Sequence, residues 1–318
     1  MTTVIRVVPV PLETDAVIPL PVRLRLTLAE LVLVARLAGD VPLPIGLDAR
    51  SVEDRLLVRL SGTRAGEVRE LLARERSRVD DAGPDGARAA LVSRGVLDGE
   101  GGLDPAVGAA LSSFAGSPVS AVLDVSAGRR AGDVRLRSWF GVRRGLVTQL
   151  TVGDGLTVEV AWFAPRLWVS QVARVVEVEP WVPEPAPMAL PDYVSMPSEL
   201  LAGAEKAHRD QRTDLLPVLA TAHVGEVRLG DAREVREADS DEVVALLHTL
   251  GAACRGRLRL LTTRRDRPAA PPAVSAWLLF DDGWHDLRPG RAATAVLRRR
   301  EPQDLGLFTM PLVEGAPS

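Results

Sequence analysis

Apolar residues recur along this chain with two different periods, and the two periods alternate in blocks. Helical spacing of three and four residues occurs at 105–114 and 239–250. Alternation of apolar and polar residues, typical of strands, occurs at 134–140 and 146–152. In each half of the chain the pattern therefore predicts helices, then antiparallel strands, then a helix. The pattern predicts an α+β fold, with a large and mostly antiparallel sheet flanked by helical bundles in a pseudo-two-fold arrangement.

Helix starts are marked by residues that can satisfy free backbone N–H groups. Thr27 with Glu30, and Asp239 with Glu242, have the spacing of a capping box. Pro165 follows the predicted strands of the first half and is suited to the first turn of a helix. These positions predict helices that begin after Thr27 and Asp239 and at Pro165.

The strands form two runs that can each fold as a meander. The first half predicts four antiparallel strands: 119–125, 134–140, 146–152 and 156–162. The second half predicts three strands: 258–262, 274–280 and 284–288. A helix from Arg291, carrying Val296 and Leu297, is expected to close that half. We expect the two meanders to join into one sheet.

A proline-rich crossover at 177–197 separates the halves, which we place at 1–176 and 198–318 of a single domain. Its prolines are Pro180, Pro183, Pro185, Pro187, Pro191 and Pro197. So dense a run predicts a semi-extended segment that forms neither helix nor sheet ladder. A flexible linker between independent domains is the alternative, although Trp181 and Tyr193 are unusual in a solvated linker.

Composition excludes several classes of protein. The chain has 318 residues, 46% of them apolar and 25% charged, with a net charge of −3. These values exclude a disordered chain, a collagen and a disulfide scaffold, and the length is sufficient for a large core. No apolar run reaches the ~18 residues of a membrane span, and 1–11 reads as a strand rather than a signal peptide. We therefore expect a cytoplasmic protein with no membrane partner.

Motifs for catalysis are missing from the sequence. There is no nucleophile elbow, metalloprotease helix, paired C-x-x-C or P-loop, and Cys254 is the single cysteine. Asp281, Asp282, His285 and Asp286 form the most site-like cluster, but strand alternation sends His285 and Asp286 to opposite faces. We expect no cofactor, no metal and no enzymatic activity. An enzyme with an unrecognised site near His285 and Asp286 is the alternative.

Arginines cluster at matching places in the two halves. Lys206 is the only lysine among 39 basic residues, so a genomic bias towards arginine explains much of the arginine content. The clusters are Arg129, Arg130, Arg135, Arg137, Arg143 and Arg144 in the first half, and Arg255, Arg257, Arg259, Arg264, Arg265 and Arg267 in the second. A solvated sheet face, a nucleic-acid site and a polar protein-binding face are all compatible with them. Net acidity and an aromatic content of 4% disfavour nucleic acid.

Several passages of the chain resemble the EspG family of proteins associated with ESX, or type VII, secretion in actinobacteria. The resemblance covers about residues 25–300. It rests on 94–98 with 103–105, on 111–118, on the meander and proline-rich crossover, and on 282–284 with Pro289 and Gly290. The segments 1–25 and after Pro302 depart from the pattern.

The resemblance implies a cytosolic, non-enzymatic chaperone of the α+β class described above. Such a chaperone binds PE–PPE-like helical-hairpin substrates, masks their apolar tip and keeps them soluble for export. Another helical-hairpin protein would be the partner in a source without PE–PPE proteins. The candidate partner-binding face is Arg135, Arg137, Trp139, Arg257, Arg259 and Trp277, in which both tryptophans are expected to share the arginine face. Packing of each tryptophan under a flanking helix is the alternative.

Overall fold

The computed structural model describes residues 21–44, 85–128, 134–153, 157–178, 186–231 and 233–315. These ranges leave out the predicted strand at 1–11, Arg129, Arg130, Trp181 and the first residue of the predicted strand 156–162.

The described residues of the first half form five strands and four helices. In chain order they are β1 (Val22–Thr27), α1 (Leu28–Leu37), α2 (85–93), α3 (Pro105–Ala115), β2 (Val119–Ala127), β3 (Val134–Arg143), β4 (Leu146–Val152), β5 (Thr157–Phe163) and α4 (Trp168–Val176). A 3₁₀ turn at Pro165–Leu167 precedes α4.

The second half repeats this order and adds a short hairpin between its second and third helices. Its elements are β6 (Tyr193–Pro197), α5 (Ser198–Arg209), α6 (Leu216–Ala222), β7 (Arg228–Gly230), β8 (Val235–Glu237), α7 (Ser240–Ala252), β9 (Gly256–Arg264), β10 (Ala273–Phe280), β11 (Gly283–Pro289), β12 (Thr294–Arg300) and α8 (Pro302–Glu314). A 3₁₀ turn at Thr213–Leu215 leads into α6.

The predicted capping boxes form. The Thr27 backbone N–H donates to Glu30 Oε2 at 2.7 Å, and the Glu30 N–H donates to Thr27 Oγ1 at 3.3 Å. Asp239 and Glu242 exchange the same two bonds at 3.1 and 2.8 Å. These side chains fix the starts of α1 and α7 at the predicted residues.

The twelve described strands form one sheet, in the order β1-β5-β4-β3-β2-β9-β10-β11-β12-β6-β7-β8. Each neighbouring pair is antiparallel, and β2 pairs with β9 along their full lengths, from Val119 opposite Arg264 to Ala127 opposite Gly256. The predicted α+β class, the antiparallel sheet and the joining of the two meanders are confirmed.

Two predictions about the second half are wrong. The segment after Arg291 is strand β12 rather than a helix, since Ala292 and Ala293 adopt positive φ values of 50° and 57° and turn the chain back onto β11. The closing helix begins at Pro302 instead, where the Glu301 N–H donates to Asp304 Oδ2 at 3.2 Å. The end of the crossover also forms a ladder strand, β6, between β12 and β7.

Three buried clusters hold the fold together, one on the back face of the sheet and two on the front. The back-face cluster lies under α4 and α8 and includes Trp168, Phe140, Leu123, Leu260 and Trp277. On the front, α1–α3 cover one cluster over the first half, and α5–α7 cover another over the second half. Helices therefore cover the centre of the back face and the two flanks of the front face.

Candidate partner-binding face

The front face of the central strands lies between the two front helical layers. Side chains alternate along each strand, so the pairing register determines which of them share this face. One row across the sheet runs from Arg137 on β3 through Asp124 and Arg259 to Ala276 on β10. The next row runs through Arg135, Ser126, Arg257 and Leu278.

This part of the sheet forms a groove, with a cavity of about 620 Å³. Helix α3 packs on β3 and β4 to one side, whereas α5 packs on β6 and β12 to the other. The lining is Asp124, Val125, Ser126, Arg135, Leu136, Arg137, Arg257, Leu258, Arg259, Val274, Ala276, Trp277, Leu278 and Leu287. We call this cavity the front groove.

Two acidic side chains neutralise part of the basic charge in the front groove. The Arg137 guanidinium pairs with Asp124 and also lies over the Trp139 ring, with its central carbon 5.8 Å from the ring centroid. Arg257 pairs with Glu205 of α5. Its hydrogen bond to that carboxylate is the main cause that lowers the pKa of Glu205.

Arg259 is exposed, and its side chain has no hydrogen bond or ion pair with any residue in the described part of the chain. It lies directly across the β2–β9 ladder from Asp124, whose carboxylate is already engaged by Arg137. An unpaired guanidinium is therefore presented at the middle of the front groove.

The other side of the front groove is apolar. Val274 is 55% exposed at its mouth, and Ala276, Leu278 and Leu287 are half-buried beside it. The sequence did not predict this apolar side, because only arginines and tryptophans were assigned to the candidate face. It also missed Asp124 and Glu205, which reach the groove through strand register and helix packing.

Four of the six predicted face residues line the groove from the front face of the sheet: Arg135, Arg137, Arg257 and Arg259. Trp277 is also among the lining residues, but it belongs to the other face of β10. Trp139 shares the face of the arginines but is only 8% exposed, since it packs in the front cluster of the first half. The placement of Trp277 on the arginine face is wrong. Its ladder partner is Leu258, so its side chain enters the back-face cluster and meets the Phe308 ring at 6.5 Å between centroids.

The cluster around His285 does not converge. His285 is fully buried on the front face, with Nε2 3.1 Å from both carboxylate oxygens of Asp282 and its ring against Phe280. Asp286 lies on the back face and pairs with Arg288 at 2.6 Å. Burial raises the pKa of Asp286 in spite of its guanidinium neighbours.

Other predicted features have structural partners. Burial raises the pKa of the half-buried Cys254 thiol, which disfavours the reactive thiolate. Arg255 is buried and pairs with Asp281 at 2.9 Å, so it is separated from the exposed arginines of its predicted cluster. Within the described ranges, no group of three or more His, Cys, Asp or Glu residues could hold a metal ion.

A second cavity, of about 720 Å³, lies at the far end of the second half. Its basic and acidic side chains are Arg298, Arg299, Arg300, Asp192, Asp231, Glu301 and Asp304. Arg299 is 3.8 Å from Asp192, and Arg298 lies over the Tyr193 ring. Its four carboxylates outnumber its three guanidiniums, in contrast to the basic excess of the front groove, which we therefore take as the candidate site.

Comparison with known proteins identifies the fold. No protein-family model and no curated protein sequence matches the chain. The fold is similar to that of the Mycobacterium tuberculosis type VII secretion system chaperone EspG5, solved in complex with a PE25–PPE41 dimer. That likeness covers 93% of this chain and 97% of the other, with a TM-score of 0.52 and 12% identity. The resemblance expected from the sequence is confirmed for the fold.

None of the helices among the described residues has the length and apolar character needed to cross a membrane.

Proposed function

We propose that this protein is a non-enzymatic chaperone that binds helical-hairpin substrates of type VII secretion, of the PE–PPE kind, in the cytoplasm. The whole chain would act as a single domain, with the two halves presenting one binding face. Binding would cover the apolar tip of the substrate and keep it soluble until export.

The observation that carries this proposal is the front groove, set in a fold similar to that of a chaperone solved in complex with a PE25–PPE41 dimer. The groove offers apolar contacts at Val274, Ala276 and Leu278 and a polar rim of arginines, which suits a partly apolar protein surface. A cofactor has no part in this proposal.

The alternatives have less support. An enzyme near His285 and Asp286 would need both side chains in one pocket, whereas they occupy opposite sheet faces. The front groove does bring arginines of both clusters together, but Asp124 and Glu205 beside them would repel the phosphates of a nucleic acid. Arg255 is buried against Asp281 and adds nothing to that surface.

Affinity capture from the source organism tests the proposal. We expect the tagged protein to co-purify with a helical-hairpin secretion substrate identified by mass spectrometry, and the substrate to lose solubility when the chaperone is deleted. Ala276→Arg places a long charged side chain in the front groove and should reduce recovery roughly tenfold, as for loss of a central interface contact.

Val218→Arg is the matched control, because Val218 is 65% exposed on α6 and does not line the groove. Thermal unfolding of both variants checks that they fold. Full recovery with Ala276→Arg would refute the front groove as the binding face, and recovery of no helical-hairpin protein by the wild-type chain would refute the function.

A further inference from the structure

The two sides of the front groove differ in chemistry. On the β3, β2 and β9 side, Arg137, Asp124 and Arg259 are successive neighbours across the sheet. On the β10 and β11 side, the same row continues with Ala276 and Leu287. A partner lying across the strands therefore meets a charged region first and an apolar region next.

The charged side carries an excess of positive charge. Among the described residues, Arg137 and Arg257 face the groove in pairs with Asp124 and Glu205, and Arg259 adds a third guanidinium. Glu205 is also shared with Arg209 at 3.0 Å. Arg259 has no partner in the described ranges, so the excess is concentrated at the groove centre, where it attracts carboxylates.

The width of the open region limits the shape of the occupant. Four strand spacings separate β3 from β11, which at 4.7–4.9 Å each amounts to about 19 Å. Two packed helices have axes 8–10 Å apart and diameters of 10–12 Å, so together they span about 20 Å. The region therefore matches the end of a two-helix hairpin better than a single extended strand.

We propose that the front groove selects a helical-hairpin end with an acidic side and an apolar side. The acidic side pairs with Arg259 and its neighbours on β3 and β9, and the apolar side packs on Ala276, Leu278 and Val274 of β10. This orientation fixes which helix of the hairpin faces which half of the chaperone. The inference rests on the proposed function and specifies the partner surface.

A phosphate backbone fits this groove less well than a carboxylate-bearing protein. The carboxylates of Asp124 and Glu205 border the groove and would repel a run of phosphates. Trp139 is buried beneath Arg137, so its ring is not available for stacking on bases.

The experiment uses designed two-helix hairpin peptides as probes, with leucines on one side of the tip and glutamates on the other. Matched peptides carry glutamine or lysine in place of the glutamates. Fluorescence anisotropy should give a dissociation constant roughly tenfold lower for the glutamate peptide than for the glutamine peptide, and no binding of the lysine peptide. The advantage of glutamate should shrink at high salt.

Arg259→Glu should reverse the preference, so that the lysine peptide binds better than the glutamate peptide. Arg267→Glu is the matched control: it makes the same charge change at an exposed residue that does not line the groove, and should leave the preference unchanged. Arg259→Gln is a milder variant and should equalise the glutamate and glutamine peptides. Thermal unfolding confirms that each variant folds.

The inference is overturned if the glutamate and glutamine peptides bind equally, if no peptide binds, or if Arg259→Glu behaves like Arg267→Glu. Tighter binding of a DNA duplex than of the glutamate peptide also overturns it. Recovery of the natural substrate by affinity capture, and its loss with Ala276→Arg, is a separate result. If the natural substrate is recovered but the peptides show no charge preference, the charge inference is wrong and the proposed function stands. If the peptides show the preference but no helical-hairpin protein is recovered, the proposed function is wrong.

Discussion

The two halves of the molecule share one order of elements but seal their back faces differently. In the first half, Phe140 on β3 packs edge-on against Trp168 of α4, with centroids 4.9 Å apart and Trp168 only 1% exposed. In the second half, Trp277 on β10 meets Phe308 of α8 at 6.5 Å, and Phe308 is 41% exposed. The same topology thus supports a closed aromatic contact in one half and an open one in the other.

The front face differs between the halves as well. The second strand of the first meander presents Arg135 and Arg137 to the front groove, whereas the second strand of the second meander presents Ala276 and Leu278. Because the two strands occupy corresponding places in the sheet order, their sequences alone make the groove basic on one side and apolar on the other. The backbone arrangement is therefore similar in the two halves, whereas the side chains make the two sides of the front groove different.

The largest expected effect distinguishes the two aromatic contacts. Trp168→Ala should lower the free energy of unfolding by about 3–5 kcal/mol, since it leaves a cavity in the back-face cluster and removes the bond from Trp168 Nε1 to Thr309 Oγ1 at 2.9 Å. Phe308→Ala should cost less than about 1.5 kcal/mol, because the ring is partly solvated. Urea unfolding measures both values.

Equal losses for Trp168→Ala and Phe308→Ala would contradict this difference between the halves. Leu307→Ala provides a control on the same helix as Phe308, since Leu307 is 56% exposed and should change stability by no more than about 0.5 kcal/mol.

The next expected effect concerns the link between the second and third helices of each half. In the first half this link is a single bridge between Leu97 and Leu103, and Leu97 is 2% exposed. In the second half it is the β7–β8 hairpin, where Val235 is 48% exposed at the sheet edge. Leu97→Ala should therefore cost about 2–4 kcal/mol of unfolding free energy, and Val235→Ala less than about 0.5 kcal/mol.

Denaturant titrations of the two variants test this prediction. A loss with Val235→Ala as large as that with Leu97→Ala would mean that the added hairpin supports the core rather than extending the sheet edge.

Local sequence signals predicted most of the helices and strands that the two halves share. The capping pair Thr27 and Glu30 acts within four residues, so it could be identified without knowledge of the fold. Alternation on β3 placed Arg135 and Arg137 on one face for the same reason, because successive side chains of a strand point to opposite faces.

Features that depend on unusual turns or distant packing could not be predicted. Strand β12 was mistaken for a helix because its turn uses Ala292 and Ala293 at positive φ, where glycine or asparagine is the usual signal. Trp277 was assigned to the wrong face because its side is set by the β9–β10 register and by α8, which lies outside the predicted elements. Glu205 reaches the front groove from a separate helix, and no spacing in the sequence marks that contact.

The smallest expected effect concerns a charge that the second half buries at a place where the first half has a neutral residue. Gln149 is the ladder partner of Phe140, and Asp286 is the ladder partner of Trp277; both are buried. Burial raises the pKa of Asp286 above its ordinary 3.8, so the folded state holds its proton more strongly than the unfolded state. Its contribution to stability is therefore present below pH 3.8 and is lost as the pH rises through the raised pKa.

Asp286→Asn makes the second half neutral at this position, as the first half already is. Relative to this variant, the wild-type protein should lose unfolding free energy as the pH rises above 3.8, and the difference should become constant once Asp286 is ionised in the folded state. Thermal unfolding across the acid range measures that difference and cancels the titration of other carboxylates. A wild-type chain that gains stability relative to Asp286→Asn over the same range would mean that the pairs with Arg288 and Arg300 outweigh the cost of burying the carboxylate.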